Sequence, residues 1–181
     1  NIEIDDFKEL LLRWFQFGTF CPVMRIHGCR QPYTNLKNKA GEVREGTGAD
    51  NEVWSYGEDA EKIMVKFIHV RELMKDYIRG IMKEAHEKGT PVMRTLFYEF
   101  PDDNCWDIYD EYMFGNEILV APICHEHETR REVYLPKGHS WTSAHNGEVY
   151  EGGKTYNIDA PIDTIPVFLK DGSNKYLIGE I

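Results

Sequence analysis

Arg13–Gly28, RWFQFGTFCPVMRIHG, runs an amphipathic helical pattern straight into a compact apolar segment that stops at a histidine. Upstream, Asp6 and Glu9 have capping-box spacing, and Phe7, Leu10, Leu11, Trp14 and Phe15 recur at helical intervals. Gly18 is the expected end of that helix. Phe20–Ile26 carries Pro22 near its start, where a strand tolerates proline, and reads as a short parallel strand. Barrel enzymes present side chains to substrate at such strand ends, and the His27 ring can both donate and accept a hydrogen bond there.

Downstream, residues 28–53 are rich in Gly, Asn, Lys and Glu with little periodicity, which at this length marks a functional or mobile loop. Ile63, Phe67, Val70, Met74, Tyr77 and Ile81 alternate four- and three-residue steps and mark one apolar stripe on a helix from about residue 58 to 87. Gly80 offers a bend in it and Gly89 a stop. Pro91–Phe100, PVMRTLFYEF, is a second strand candidate. Helix, strand, loop, helix, strand is the order of parallel strands joined by right-handed crossovers.

Asp102–Gly115 reads as a short helix, and after it the character of the chain changes. Ile118–Ile123, Glu132–Leu135, Trp141–Ala144, Thr155–Ile158 and Ile165–Leu169 are short strand-like runs divided by turn residues, Asn146-Gly147 the strongest of them. A small antiparallel β domain is therefore expected from about Asn116. No internal repeat or low-complexity segment occurs.

A length of 181 residues suits one domain or two small ones with a real core. The opening on Asn1 and then at once on a helix reads as a piece excised from a longer protein. Acidic side chains outnumber basic ones 31 to 21, for a net charge of −10 with no basic run, so nucleic acid is not an expected partner. No apolar stretch approaches the about 20 residues that span a bilayer, and no signal-peptide pattern precedes the first helix, so no membrane partner is expected either. Cys21, Cys29, Cys105 and Cys124 show no C-x-x-C spacing, and two of them lie in apolar runs. They read as buried thiols of a reducing compartment, which favours the cytoplasm.

Arg25-Ile26-His27-Gly28, EFPDD at 99–103, DEYMFG at 110–115, ILVAPI at 118–123, VYLPKGHSW at 133–141 and IPVFLKDGS at 165–173 form an ordered series of motifs. Together the series resembles glycoside hydrolase family 31, the retaining α-glucosidases and α-xylosidases. The first motif resembles that family's Arg-x-His signature at the seventh barrel strand, and the others its eighth strand, the following helix and landmarks of the β domain behind the barrel. Residues 28–53 are the least matched part. The resemblance implies the C-terminal part of a (β/α)8 TIM barrel, its last two strand units at 1–115, followed by a small antiparallel β-sandwich at 116–181. It also implies part of an enzyme that hydrolyses terminal α-linked glucose or xylose, with an α-linked oligosaccharide or glycoside as partner and no cofactor.

Retaining glycosidases use two carboxylates. In this family both are aspartates, in a Trp-x-Asp-Met-Asn-Glu motif and a Gly-Asp-Asn-like motif on earlier strands, and neither pattern occurs in the chain. No catalytic residue is therefore assigned, and the isolated chain is expected to be inactive. Unpaired strand edges and bare helix faces of an incomplete barrel lead to an expectation that the isolated chain self-associates.

From position alone, His27 is either a sugar contact or a histidine capped by backbone groups near the core; the resemblance implies the sugar contact, in the subsite where the bond is broken. Arg25, two residues earlier and on the same side of a regular strand, is a second substrate-site candidate, as a direct contact or an anchor for carboxylates of neighbouring strands; the alternative is a buried structural ion pair. Glu99, Asp102 and Asp103 form a carboxylate cluster beside a strand end, read as structural because turn and cap positions follow Pro101. Cys124-His125-Glu126-His127 has metal-ligand residue types but lacks the second ligand pair of a closed site, so no metal is assigned. Trp54 and Tyr56 suit sugar stacking or core packing equally. The alternative function is a noncatalytic carbohydrate-binding or interaction module, from which the strand and helix units before Asn116 distinguish the enzyme fragment.

Overall fold

Ile118, Leu119 and Val120 are all fully buried, which requires cover on both faces of the sheet that holds them. In the computed structural model, which describes residues 4–27, 36–37, 40–41, 43–44 and 50–181, helices cover one face and a two-stranded ribbon covers the other. In chain order the elements are α1 (Ile4–Thr19), β1 (Leu36–Lys37), β2 (Val43–Arg44), a 3-10 turn (Val53–Tyr56), α2 (Glu58–Leu73), α3 (Lys75–Lys88), β3 (Met93–Thr95) and α4 (Leu96–Glu99). A second 3-10 turn (Asp103–Cys105) leads to β4 (Tyr112–Phe114), β5 (Ile118–Val120), β6 (Arg130–Leu135), β7 (Ser140–Ser143), β8 (Val149–Glu151), β9 (Lys154–Asp159) and β10 (Val167–Lys170).

The six-stranded sheet has the order β3-β4-β5-β10-β7-β8, and each of its pairs is antiparallel. Because side chains alternate across a sheet, each strand sends residues to two different cores. Phe114, Ile118, Val120, Val167 and Leu169 join Leu12, Phe15, Phe20, Met64, Phe67 and Val70 of the helical side. Met113, Leu119 and Phe168 join Val133 and Leu135 of the β6–β9 ribbon and Trp141. The result is a β-sandwich of six strands against two, with α1, α2 and α3 stacked on the outer face of the larger sheet. The sheet draws in β3 and β4, which precede Asn116 in the chain.

Several elements differ from their expected form. Phe20–Ile26 is not a parallel strand: residues 20–23 turn and bend and 24–27 are irregular. Its leading carbonyls are taken by side chains, from Arg71 and Tyr112, instead of by a neighbouring strand. Pro91–Phe100 is not a parallel strand either, since only Met93–Thr95 is extended, pairing antiparallel with β4, and the single turn α4 follows. Among the described residues every strand pair is antiparallel. The helix expected at about 58–87 is two helices, broken at the fully buried Met74 (φ −79°, ψ 0°) and not at Gly80. Met74 N–H still reaches Val70 O at 3.1 Å and Met74 O still accepts from Ile78 N–H at 2.8 Å, so the hydrogen bonding runs on through the break. Gly89 does close α3, in the left-handed region at φ 72°, with its N–H on Ala85 O.

Asp102–Gly115 is a 3-10 turn and then a strand, because Tyr112 and Phe114 face the helices while Met113 faces the ribbon, a period of two and not of 3.6. Asp6 and Glu9 lie inside α1 and do not cap it, since the helix already begins at Ile4, and Glu9 instead binds His127. Of the three described cysteines only Cys105 is buried, with Cys21 half-buried and Cys124 exposed; Cys29 falls outside the described residues. Most of 28–53 likewise lies outside them, apart from the short β1–β2 pairing.

Candidate functional site

The segment that carries His27 is built from the end of α1. Phe15 and Phe20 bury themselves in the helical core, Thr19 Oγ1 donates back to Phe15 O at 2.9 Å, and the chain then leaves the helix. Arg71, in the last turn of α2, donates through Nη1 to Thr19 O (2.7 Å) and Cys21 O (2.5 Å) and through Nη2 to Pro22 O (3.0 Å). Tyr112 of β4 donates its hydroxyl to Phe20 O at 3.1 Å. Met24 packs against the core, and beyond it Arg25, Ile26 and His27 stand exposed.

Arg25 and His27 do meet, though without a strand to align them. Arg25 Nη2 lies 2.8 Å from His27 Nδ1. A guanidinium only donates, so Nδ1 is the acceptor and the neutral ring carries its proton on Nε2. That leaves the Nε2–H as a donor pointing away from the arginine. Arg25 is exposed in this chain, and among the described residues its hydrogen-bond partner is His27.

Glu99 and Asp102 are occupied by structural partners. Glu99 binds Arg94, which also reaches Glu84 Oε2 at 3.4 Å and Pro91 O at 2.6 Å. Asp102 is buried and accepts from the Tyr134 hydroxyl at 2.5 Å and from Asn104 N–H at 3.2 Å. The Tyr134 bond first, with Asn104 and Lys137 after it, holds this carboxyl below its usual range. The Asp103 side chain lies outside what the structure describes.

Trp54 and Tyr56 separate: Tyr56 is core, against Phe7, while Trp54 is 64% exposed. His127 turns to α1, where its backbone N–H and Nδ1 both lie 2.9 Å from Glu9 carboxylate oxygens. Cys124, His125 and Glu126 line a cleft of about 570 Å3 with Leu10, Arg13 and Trp14 of α1. Among the described residues no three His, Cys, Asp or Glu side chains gather as a metal site would require.

Arg71 and Tyr112 are the residues that sequence reasoning missed. Arg71 carries no motif, being one of several charged residues on a helix, whereas Tyr112 was hidden in a segment read with the wrong period.

Comparison with known proteins agrees with this architecture. Residues 3–80 match the glycosyl hydrolases family 31 TIM-barrel domain and residues 89–173 match the glycosyl hydrolase family 31 C-terminal domain. Alpha-glucosidase 2 of Bacillus thermoamyloliquefaciens is 40% identical over 166 residues, covering 91% of this chain and 19% of that protein. An alpha-xylosidase of Saccharolobus solfataricus is 32% identical over 181 residues, covering 99% of this chain and 22% of that protein. The crystal structure of a GH31 alpha-xylosidase from a soil metagenome, complexed with xylose, superposes with a TM-score of 0.89 at 44% identity, over 95% of this chain and 26% of that one. The chain thus spans about a fifth to a quarter of the length of the relatives it matches. Carrying the end of the family's barrel domain and, after it, the family's C-terminal β domain, this chain belongs to glycoside hydrolase family 31.

Proposed function

We propose that the chain is part of a retaining α-glycosidase that hydrolyses terminal α-linked glucose or xylose from oligosaccharides or glycosides, and that His27 and Arg25 belong to its sugar site. The observation that carries the reading is the 2.8 Å contact of Arg25 Nη2 with His27 Nδ1, which leaves the Nε2–H of the exposed ring as a donor, in a stretch that resembles the family's Arg-x-His signature. Such a donor orients a sugar hydroxyl, and a contact that tightens as the ring distorts toward the transition state contributes to rate. The relatives named as an alpha-glucosidase and alpha-xylosidases support the substrate class.

This chain's share of the reaction is binding and orientation. Retaining hydrolysis needs a nucleophile and an acid/base about 5–5.5 Å apart. The family's two aspartate motifs do not occur in the sequence, and Glu99 and Asp102 are engaged with Arg94 and Tyr134. Nucleic acid and membranes have no part in the reading, in keeping with the net charge of −10. Self-association of the isolated chain is part of it, supported by Leu10 and Trp14, exposed beside the α1 cleft. The purified 181-residue chain is expected to give no turnover of aryl α-glucosides or α-xylosides above a blank, while the full-length enzyme turns them over. Activity of the purified chain would overturn the absence of a nucleophile.

A further inference from the structure

Four consecutive carbonyls, those of Thr19, Phe20, Cys21 and Pro22, are each captured by a side chain from another element: the first, third and fourth by Arg71 and the second by Tyr112. The last carbonyls of a helix have no partner within it, and a cation placed there also faces the negative end of the helix dipole. The two residues come from α2 and β4, so the end of α1 is tied at once to a neighbouring helix and to the sheet. Met24 then gives the segment an apolar anchor, its Sδ 3.9 Å from Thr19 Oγ1. Arg25, Ile26 and His27 follow directly and have no strand of their own to hold them.

We propose that Arg71 and Tyr112 are positioning residues for the Arg25–His27 pair. The proposal rests on the reading of His27 as a sugar contact, and neither residue is required to touch the sugar itself. Without Arg71, three carbonyls are released, the 20–27 segment gains conformations, and the substrate must order it on binding. A displacement of about 1 Å at a contact can cost on the order of 100-fold in rate, so the anchor is felt at the site although it lies five residues or more from His27 in sequence.

The test uses the full-length enzyme. Tyr112→Phe removes one hydroxyl while leaving the ring against Phe17, where the centroids are 5.9 Å apart. Arg71→Lys keeps the charge but not the planar fork that spans three carbonyls, and Arg71→Met removes both. kcat/KM is expected to fall in the order Tyr112→Phe, Arg71→Lys, Arg71→Met, with the last down about 10-fold, yet by less than about 2-fold when His27→Ala is already present. Hydrogen exchange of the backbone amides at 23–27 should quicken in the same order, with those of α3 unchanged.

Equal losses with and without His27, or unchanged exchange at 23–27, would overturn the proposal. If His27→Ala alone is silent, the sugar contact falls instead, and the exchange measurement still decides whether Arg71 and Tyr112 hold the segment. Should Arg71→Met not fold, Tyr112→Phe and Arg71→Lys carry the same comparison.

Discussion

Arg13 Nη2 donates to the carbonyl of Ala160 at 2.9 Å, joining residues 147 positions apart in the chain. The same buried guanidinium also reaches Glu128 O (3.1 Å), Pro161 O (3.2 Å) and Thr164 O (3.0 Å), while Gln16 one turn on donates to Ile162 O at 2.6 Å. One side chain of α1 thus satisfies four carbonyls at the end of the ribbon where β6 begins and β9 finishes. Arg13→Met leaves those carbonyls buried without donors and is expected to destabilise the chain by about 2–4 kcal/mol. Urea unfolding of the two chains checks this; a loss within error would mean that water replaces the guanidinium.

Glu111 predicts a pH dependence. Its carboxyl is buried, Oε1 accepts from Tyr134 N–H at 2.8 Å and lies 3.7 Å from Arg131, and Oε2 has no hydrogen-bond partner. Burial pushes the group up from 4.5 to about 8, against the pull of the Tyr134 N–H and Arg131. The folded state therefore holds a proton that the unfolded chain gives up, so its contribution is complete below about 4.5 and is lost as pH rises through about 8. Glu111→Gln should remove that loss and make the protein more stable than the parent at alkaline pH, by about 1–3 kcal/mol. Chemical denaturation at pH 5 and pH 9 decides it, since parallel pH profiles for the two proteins would show that Glu111 is ionised in the fold.

His27→Ala in the full-length enzyme is expected to lower kcat/KM by about 10- to 1,000-fold, through loss of a hydrogen bond that strengthens in the transition state. In the isolated chain, thermal stability should hardly change, because there the ring is exposed and bonds to the equally exposed Arg25. Steady-state kinetics on an aryl α-glucoside and an aryl α-xyloside measure the effect. A well-folded variant with unaltered kinetics would put His27 outside the sugar site.

Association of the isolated chain is expected to run through the outer face of α1. Trp14 is 68% and Leu10 44% exposed, and both line the cleft formed with residues 122–126. Sedimentation at micromolar concentration should show species larger than a monomer, and Trp14→Glu together with Leu10→Glu should restore the monomer. A strictly monomeric parent chain would mean that the packing of α1 and α2 on the sheet already suffices.

The helices were legible in the chain because their signal is local. A stripe at 3.6-residue spacing and a glycine past the last turn involve only near neighbours, so α1, the 58–88 helical region and the Gly89 stop could be read directly, as could five of the β-domain runs between residues 118 and 169. The family motifs were legible for the same reason, being short strings in a fixed order. What escaped were decisions made by partners distant in sequence. Phe20–Ile26 has the composition of a strand, but a strand exists only through its ladder, and here Arg71 and Tyr112 take the carbonyls. Tyr112–Phe114 became a strand because β3 and β5 lie on either side of it. The two-residue spacing of Arg25 and His27 put both on one side of a strand that the structure does not form, and the donor left on Nε2 follows only from the 2.8 Å contact at Nδ1. Hydrogen-bond partners drawn from elements tens of residues away have no local signature, so the sequence determined which segments could be helical or apolar, and the tertiary structure alone decided which backbone groups, and through them which side chains, were fixed in place.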